Sequence, residues 1–308
     1  MLSPICRIYL HFGAYTTTRK HKNGLGGTMN LGIDLGNDGT KSSQMVNVAS
    51  KCTTVSNILS SNQFQTETGT YYMGEGTPDN EYRKVKKTHL KTLFLYIIAL
   101  STQDQNIKAV VGLPISQYRQ DKDELKSHLL THRYNVTWLN GTQRKINIED
   151  VDVYPEGLIN SEDGILLDIG GRTTDIALIE NKKVNDCFSI AAGTLNLYAD
   201  FINAINSQYG LDLKPSDADR IIRKGLQING VETDVTFAQG VFKSFVADLV
   251  SQIQVKYPVS TLPITVLGGG GQLLFKSIKN RLPNSTLVDN PIFANALLFK
   301  RVGDAKWP

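Results

Sequence analysis

Cysteine is scarce: Cys6, Cys52 and Cys187 are the only three in 308 residues. They are far apart, odd in number and form no C-x-x-C pair. Neither a zinc site nor a disulfide framework is therefore expected, and a reducing cytoplasm is the expected location. The five histidines are His11, His21, His89, His128 and His132. His128 and His132 lie four apart on a charged helical stretch, but no glutamate follows His128 as a zinc-protease motif requires, so a solvated helix face is expected there. There is no G-x-S-x-G elbow, which disfavours a serine hydrolase. There is no G-x-x-x-x-G-K-S/T phosphate loop. No strand, G-x-G-x-x-G turn and helix precede a ribose-binding acid, so a dinucleotide fold is not indicated. No stretch of about 20 residues is apolar enough to predict a transmembrane helix. No short-period repeat suggests a solenoid.

Net basic charge is also missing from most of the chain. The formal net charge is +4, and Arg7, Arg19, Lys20 and Lys22 supply all of it within a first stretch of 28 residues that holds no acid. The remainder carries 29 bases against 29 acids, so it has no electrostatic footprint for nucleic acid. The leader lacks a signal-peptide core and cleavage site, and only faintly resembles an organellar presequence. Its Gly24–Gly27 end is flexible in composition. The expectation is an upstream extension, disordered or non-native, with Met29 as the functional start and residues 1–28 outside the fold.

What is present is an ordinary globular composition, 41% hydrophobic and 20% charged, able to bury a sizeable core. Residues 30–35 and 43–48 read as strands around an Asp/Gly turn, and TYYMGEG as a short strand and turn. Residues 83–101 carry Leu90, Leu93, Phe94, Ile97 and Ile98 at helical spacing, predicting a core-facing helix with a basic N-terminal half. A buried-type strand (107–115) closes at Pro114, a charged helix follows, and Asn140–Gly141 turns a hairpin whose continuation ends at Pro155. The second half repeats the grammar: strand, glycine-rich turn and strand from 164, then a turn at Asn181–Lys182. Helical patterns follow at 193–209, 216–225 and 236–256, then a strand, a four-glycine turn and a helix start, and a last helix. Alternation of this kind predicts an α/β fold.

The chemistry lies in a near-repeat. IDLGNDGTKSSQMV and LDIGGRTTDIALI both read apolar, Asp, apolar, Gly, polar turn, hydroxyl, strand, placing Asp34 and Asp168 at strand tips. The glycines allow a ligand to approach bare backbone and can take positive φ. Successive N–H groups in such turns form concave anion sites. A carboxylate beside an anion site is repulsive unless a cation intervenes, and Mg²⁺ between carboxylate and phosphate, often through water, resolves this. Thr40, Thr173 and Thr174 can donate hydroxyl bonds, and Lys41 can place charge on a β- or γ-phosphate. One such turn is equally a tight hairpin with an Asx bond. Two are a stronger sign, and VLGGGG adds a third place where a flat ring or a phosphate can lie on backbone at a helix N-terminus.

Asp-x-Gly near the start, Asp-x-Gly-x-x-Thr-x-Asp at 168–175 and Gly-Gly-Gly-Gly at 268–271 resemble, in order, the phosphate-1, phosphate-2 and adenosine motifs of the actin/Hsp70/sugar-kinase ATPase superfamily. Within it, AVVGLPISQY, the VYPEG turn and the closing FANALLF segment resemble the bacterial actin-like ATPases of the ParM/StbA plasmid-segregation family. The resemblance spans about residues 30–303. It implies two similar lobes, each on a five-stranded mixed sheet flanked by helices, closing on ATP or ADP. The first lobe would comprise 29–164 and 290–308, with a smaller part at about 48–95. The second would comprise 165–289, with a smaller part at about 191–257.

The resemblance also implies roles. Asp34 and Asp168 would hold Mg²⁺ through water. Gly36, Asn37, Gly39, Thr40 and Lys41 would line the phosphates from one side, and Gly170, Gly171, Arg172, Thr173 and Thr174 from the other. Gly268, Gly269, Gly270 and Gly271 would carry the adenosine. Glu156, with Asp168, would be catalytic, positioning the attacking water; taken alone, Glu156 is equally a carboxylate at a helix start. Arg172 is bulky where many relatives carry a small or acidic residue. Adenine and ribose contacts would come from 193–225, where Asp219, Arg223 and Lys224 also show the spacing of any exposed helix.

The implied activity is a filament-forming ATPase that polymerises with Mg-ATP and hydrolyses it, with lobe rotation coupled to the γ-phosphate. Its partners would be itself and a DNA-binding adaptor linking it to plasmid DNA, with no direct nucleic-acid contact and no membrane. Two alternatives remain at this point. A small-molecule kinase of the superfamily would need an acceptor base, for which Asp121 and Asp123 are the candidates. A chaperone or regulator of the Hsp70 kind would need a C-terminal substrate domain.

Overall fold

The structure is a computed structural model and describes residues 27–58, 60–79, 81–130, 135–158, 162–181 and 183–308. Most of the expected 28-residue extension, with Cys6, His11 and His21, lies outside the described residues, as do His132 and Lys182. Thr28 already belongs to the first strand, where it is paired with Asn106.

One wiring pattern is used twice. In the first half, β1 (Thr28–Leu35), β2 (Gly39–Ser42) and β3 (Asn47–Ala49) form an antiparallel meander. Strands β4 (Cys52–Thr53), β5 (Gln63–Thr66) and β6 (Gly69–Met73) follow, then α1 (Leu90–Ser101), β7 (Asn106–Leu113), α2 (Ile115–Leu129), β8 (Asn135–Leu139) and β9 (Thr142–Pro155). Both β7 and β9 lie parallel to β1, giving the order β3-β2-β1-β7-β9. In the second half, β10 (Gly164–Ile169), β11 (Thr174–Glu180) and β12 (Lys183–Ile190) form the meander. They are followed by α3 (Thr194–Tyr209), α4 (Ala218–Lys224), β13 (Leu226–Ile228), β14 (Val231–Thr233), α5 (Gln239–Lys256), β15 (Ile264–Leu267), α6 (Gly268–Arg281), β16 (Ser285–Leu287) and α7 (Ala294–Lys306). The order β12-β11-β10-β15-β16 reproduces the first sheet, with β15 and β16 parallel to β10.

The first sheet is larger than the five strands expected, because β9 is long enough to serve two partners. Its C-terminal part pairs parallel with β7 and its N-terminal part antiparallel with β8. Through β8 the sheet continues to β5, β6 and β4, making nine strands. Asn140 and Gly141, both with positive φ, turn β8 into β9 as a two-residue hairpin needs.

Core patterning follows from helices covering both faces. Every residue of β10 is buried, as expected of a strand between layers. The first core gathers Leu31, Ile33, Phe94, Ile97 and Val111, and the second Leu167, Ile176, Leu197, Val266 and Leu274. The last helix returns to the first sheet, where Leu298 and Phe299 pack on Val110 and Tyr154. Gly32 makes that approach possible: a Cβ there would lie 2.0 Å from the Ala296 carbonyl oxygen.

Three expectations are corrected. The helix predicted over 83–101 begins at Leu90, and the basic stretch before it is a 3₁₀ turn at Lys84–Lys86. Lys84 and Lys87 in this stretch are buried on partners outside any helix, which the apolar spacing could not reveal. The strand predicted over 43–48 is mostly a turn closed by Ser42 N–H on Val46 O, with β3 starting at Asn47. The four-glycine turn is not a turn but the first turn of α6 itself.

Candidate functional site

The β1–β2 and β10–β11 hairpins carry the paired Asp-x-Gly turns, closed by Leu35 opposite Thr40 and Ile169 opposite Thr174. Strand alternation sends Leu31, Ile33 and Leu35 into the first core, leaving Gly32 and Asp34 on the face that α7 covers. In β10 it sends Ile165, Leu167 and Ile169 into the second core, while Leu166, on the face that carries Asp168, packs with Ala294 of α7. Both carboxylates thus stand at strand ends on the surfaces that face the other lobe, each 7% exposed. The turns touch across this space, since a Cβ on Gly171 would lie 2.8 Å from Asp38 Cβ. Among Gly36, Gly39, Gly170 and Gly171 none has positive φ, contrary to expectation; what these glycines supply is close approach.

Below the turns is a group of buried charges. Glu156 follows β9 in a turn, not at a helix start, with its N–H on the Leu113 carbonyl at 2.8 Å. Lys84 donates to Glu156 Oε1 and, at 3.2 Å, to the Gly112 carbonyl. Asn295 of α7 joins two elements of the site: its Nδ2 donates to Asp168 Oδ2 at 2.9 Å, and its Oδ1 accepts the Gly157 N–H at 2.8 Å. Asp175 accepts from Ser189 and, at 3.3 Å, from Thr173. Burial pushes the Glu156 carboxyl up to about 7 against the pull of Lys84, with Asp34 and Asp175 adding to the rise. Burial likewise pushes Asp168 up to about 7; the Asn295 bond opposes this, and Asp175, Glu156 and Asp34 reinforce it. Asp175 is raised by burial too. Burial works against the Lys84 ammonium, but Glu156, Asp34 and Asp175 outweigh it and hold the group above the ordinary lysine value. Lys87, bonded to Asn37 of the first turn, is lowered to about 8 by burial and by its neighbour Lys84.

The remaining predicted residues divide. Lys41 faces the site, 3.7 Å from Asp34 and bonded to the Gly39 carbonyl at 2.8 Å. Arg172 has a buried Nη1 with no hydrogen-bond partner among the described residues. The Thr40 hydroxyl is fully buried against Ser50 at 2.9 Å, and the Thr174 hydroxyl donates to the Ala192 carbonyl at 2.8 Å. Both hydroxyls are engaged within the protein, and strand alternation turns both away from the Asp34 and Asp168 faces. Of the tetraglycine, Gly270 packs on Ile169 and Thr194, and Gly271 on Val266, so these two serve packing. Gly268, at φ +83°, leaves no room for a Cβ beside Asp168, and Gly269 borders open space. Asp219 and Arg223 make an exposed i,i+4 pair at 2.6 Å.

Two family models match side by side: the N-terminal domain of actin like proteins over residues 32–158, and the C-terminal domain of the archaeal actin homologue, MreB-like, over residues 166–280. The chain is an actin-like protein. No curated protein matches its sequence. Among solved structures it is similar to the pCBH ParM non-polymerisable quadruple mutant, at 19% identity and TM-score 0.76, over 91% of this chain and 100% of that one. A 15-stranded ParM filament from Clostridium botulinum is 20% identical with TM-score 0.74, over 90% of this chain and 99% of that one. The archaeal actin homolog Ta0583 in complex with ADP is 16% identical with TM-score 0.76, over 90% and 99%. At these identities the likeness is one of fold, and it bears out the actin-like architecture expected from the three motifs.

The actin-like protein's site gathers cationic groups at the two turns. The orphaned Arg172 nitrogen and the cations of Lys41 and Lys87 offer charge to an anion. Among the described residues no three His, Cys, Asp or Glu side chains converge into a cation cage. Lys84, Lys87 and Asn295 were not predicted from sequence. The two lysines were hidden in a basic run that reads as the N-terminal half of a helix, and Asn295 in the apolar FANALLF stretch that opens the terminal helix.

Proposed function

We propose that this actin-like protein is an ATPase that assembles into filaments with Mg-ATP and disassembles after hydrolysis, serving plasmid DNA segregation through a DNA-binding adaptor. The observation that carries the reading is the meeting of two Asp-x-Gly turns, one from each lobe, over buried Asp34, Asp168 and Glu156. The backbone N–H groups of both turns, with Lys41 and Arg172, bind the phosphates. Asp34 and Asp168 would hold Mg²⁺ through water, and the ion would neutralise phosphate charge. Glu156 orients the attacking water and takes its proton, a role suited to a carboxyl raised to about 7. The ADP complex of Ta0583 and the ParM filament support nucleotide binding and self-association in this fold.

The kinase alternative loses ground, because Asp121 is fully buried and ion-paired with Arg83. The test is sedimentation and light scattering with Mg-ATP, Mg-ADP and no nucleotide, with and without sugar acceptors. ATP-dependent pelleting with phosphate release is expected. Monomeric behaviour at high concentration, with phosphate passed to an acceptor, would overturn the reading. Glu156→Ala should retain nucleotide, prolong filaments and slow phosphate release; unchanged turnover would remove Glu156 from the mechanism.

A further inference from the structure

We infer that Lys84 is a positioning residue for hydrolysis, holding the Glu156 carboxylate in the orientation from which it acts on water. The inference rests on the role proposed above for Glu156. Lys84 is 3% exposed; its ammonium is bonded to Glu156 after β9 and is held charged by Glu156 together with Asp34 of β1 and Asp175 of β11. Burying an ammonium is costly, and replacing a buried ion pair by apolar groups is often neutral or stabilising. Packing alone therefore gives no reason for a lysine here, since a methionine would fill the same space.

The local structure is built to hold this charge in place. The backbone N–H of Lys84 donates to Gln117 Oε1 of α2 at 3.0 Å, and Gln117 Nε2 donates to the Tyr82 carbonyl at 3.0 Å. Arg83, the residue before it, is ion-paired with buried Asp121 of the same helix. The 3₁₀ turn is thus tied to α2 from both sides, and the Lys84 side chain runs from it to Glu156 Oε1 and the Gly112 carbonyl. Gly112 closes the other side of the glutamate: a Cβ there would lie 2.8 Å from Glu156 Cγ. A flexible side chain is held between a backbone wall and a fixed cation, the preorganisation that in-line attack by water requires.

The experiment compares wild type, Lys84→Met, Glu156→Gln and the double variant by steady-state phosphate release, with affinity for a fluorescent ADP analogue as the second readout. Lys84→Met is expected to lower kcat about 100-fold, the loss typical of a misplaced catalytic group, with ADP affinity unchanged within about twofold. Its filaments should persist after assembly, and the double variant should be no slower than Glu156→Gln alone. Turnover within about threefold of wild type, or a loss that multiplies with that of Glu156→Gln, would overturn the inference. A fall in ADP affinity as large as the fall in kcat would also overturn it, because Lys84 would then be a nucleotide ligand. Wild-type turnover in Glu156→Gln would remove the Glu156 role and the inference with it, whereas no hydrolysis by wild type would instead reject the proposed ATPase. If Lys84→Met does not fold, Lys84→Gln, which keeps a donor toward Glu156, is expected to lose about tenfold in kcat at unchanged ADP affinity; unchanged kcat there would refute the positioning role.

Discussion

Replacing Asp168 by asparagine should make the metal- and nucleotide-free protein more stable at pH 8. In the folded chain the Asp168 carboxyl is raised from 3.8 to about 7 by burial, with Asp175, Glu156 and Asp34 adding like charge. Below about pH 4 the group is protonated in both folded and unfolded chains and makes no difference to stability. Between about pH 4 and pH 7 the folded state keeps a proton that the unfolded chain releases, so stability falls as pH rises. Above about pH 7 the whole penalty is present. At about 1.4 kcal/mol for each pH unit, a rise from 3.8 to about 7 corresponds to about 4 kcal/mol as an upper bound. The amide of Asp168→Asn still accepts the Asn295 bond but fits the site less well, so a net gain of about 1–3 kcal/mol is expected at pH 8. The assay is denaturant unfolding in EDTA at pH 5, 6, 7 and 8, taking the difference between variant and wild type at each pH. The gain should grow through this series and level off above pH 7. A variant no more stable than wild type at pH 8, or a gain independent of pH, would refute the reasoning. The same variant should lose hydrolysis, which separates what the group costs the fold from what it does for function.

Asn295→Ala should cost about 2–3 kcal/mol, because it leaves the buried Gly157 N–H without an acceptor and removes a donor from Asp168. In urea titrations its pH-dependent decline in stability should extend above pH 7, since the bond that lowers the Asp168 carboxyl is gone. Thr40→Val should cost about 1 kcal/mol for the lost bond to Ser50 while leaving ADP affinity within about twofold, and a larger loss of binding would place the Thr40 hydroxyl on the phosphate after all. Gly32→Ala should lower the yield of folded protein sharply, with at least about 4 kcal/mol lost in unfolding titrations. Its Cβ would stand 2.0 Å from the Ala296 carbonyl oxygen, between two rigid elements.

The actin-like fold was legible because its signals are local and repeated. Asp34 and Asp168 each end an apolar strand on an Asp-x-Gly turn, and both hairpins form in matching positions of matching sheets. The helices α2, α3, α5 and α7 were legible from spacing of the same kind. The reading of residues 83–101 went wrong where long-range partners overrode local pattern. Nothing in RKVKK distinguishes Lys86, exposed beside Glu124, from Lys84, buried on Glu156, which lies 72 residues along the chain. The orientation of Thr40 and Thr174 was hidden for a related reason: the motif places a hydroxyl beside the turn, but strand alternation decides which face it takes.

By itself the sequence determined the α/β class and the two equivalent turns that end in Asp34 and Asp168; Glu156 came only from the resemblance. Those features are written in short windows, where residue type and spacing dictate backbone form. Only the tertiary structure decided which charges are buried together. The Lys84–Glu156 pair, the Asn295 bridge to Asp168 and the contact between Gly171 and Asp38 join segments far apart in the chain. Their energetics depend on the low-dielectric space that the folded lobes create, and no local pattern encodes that space.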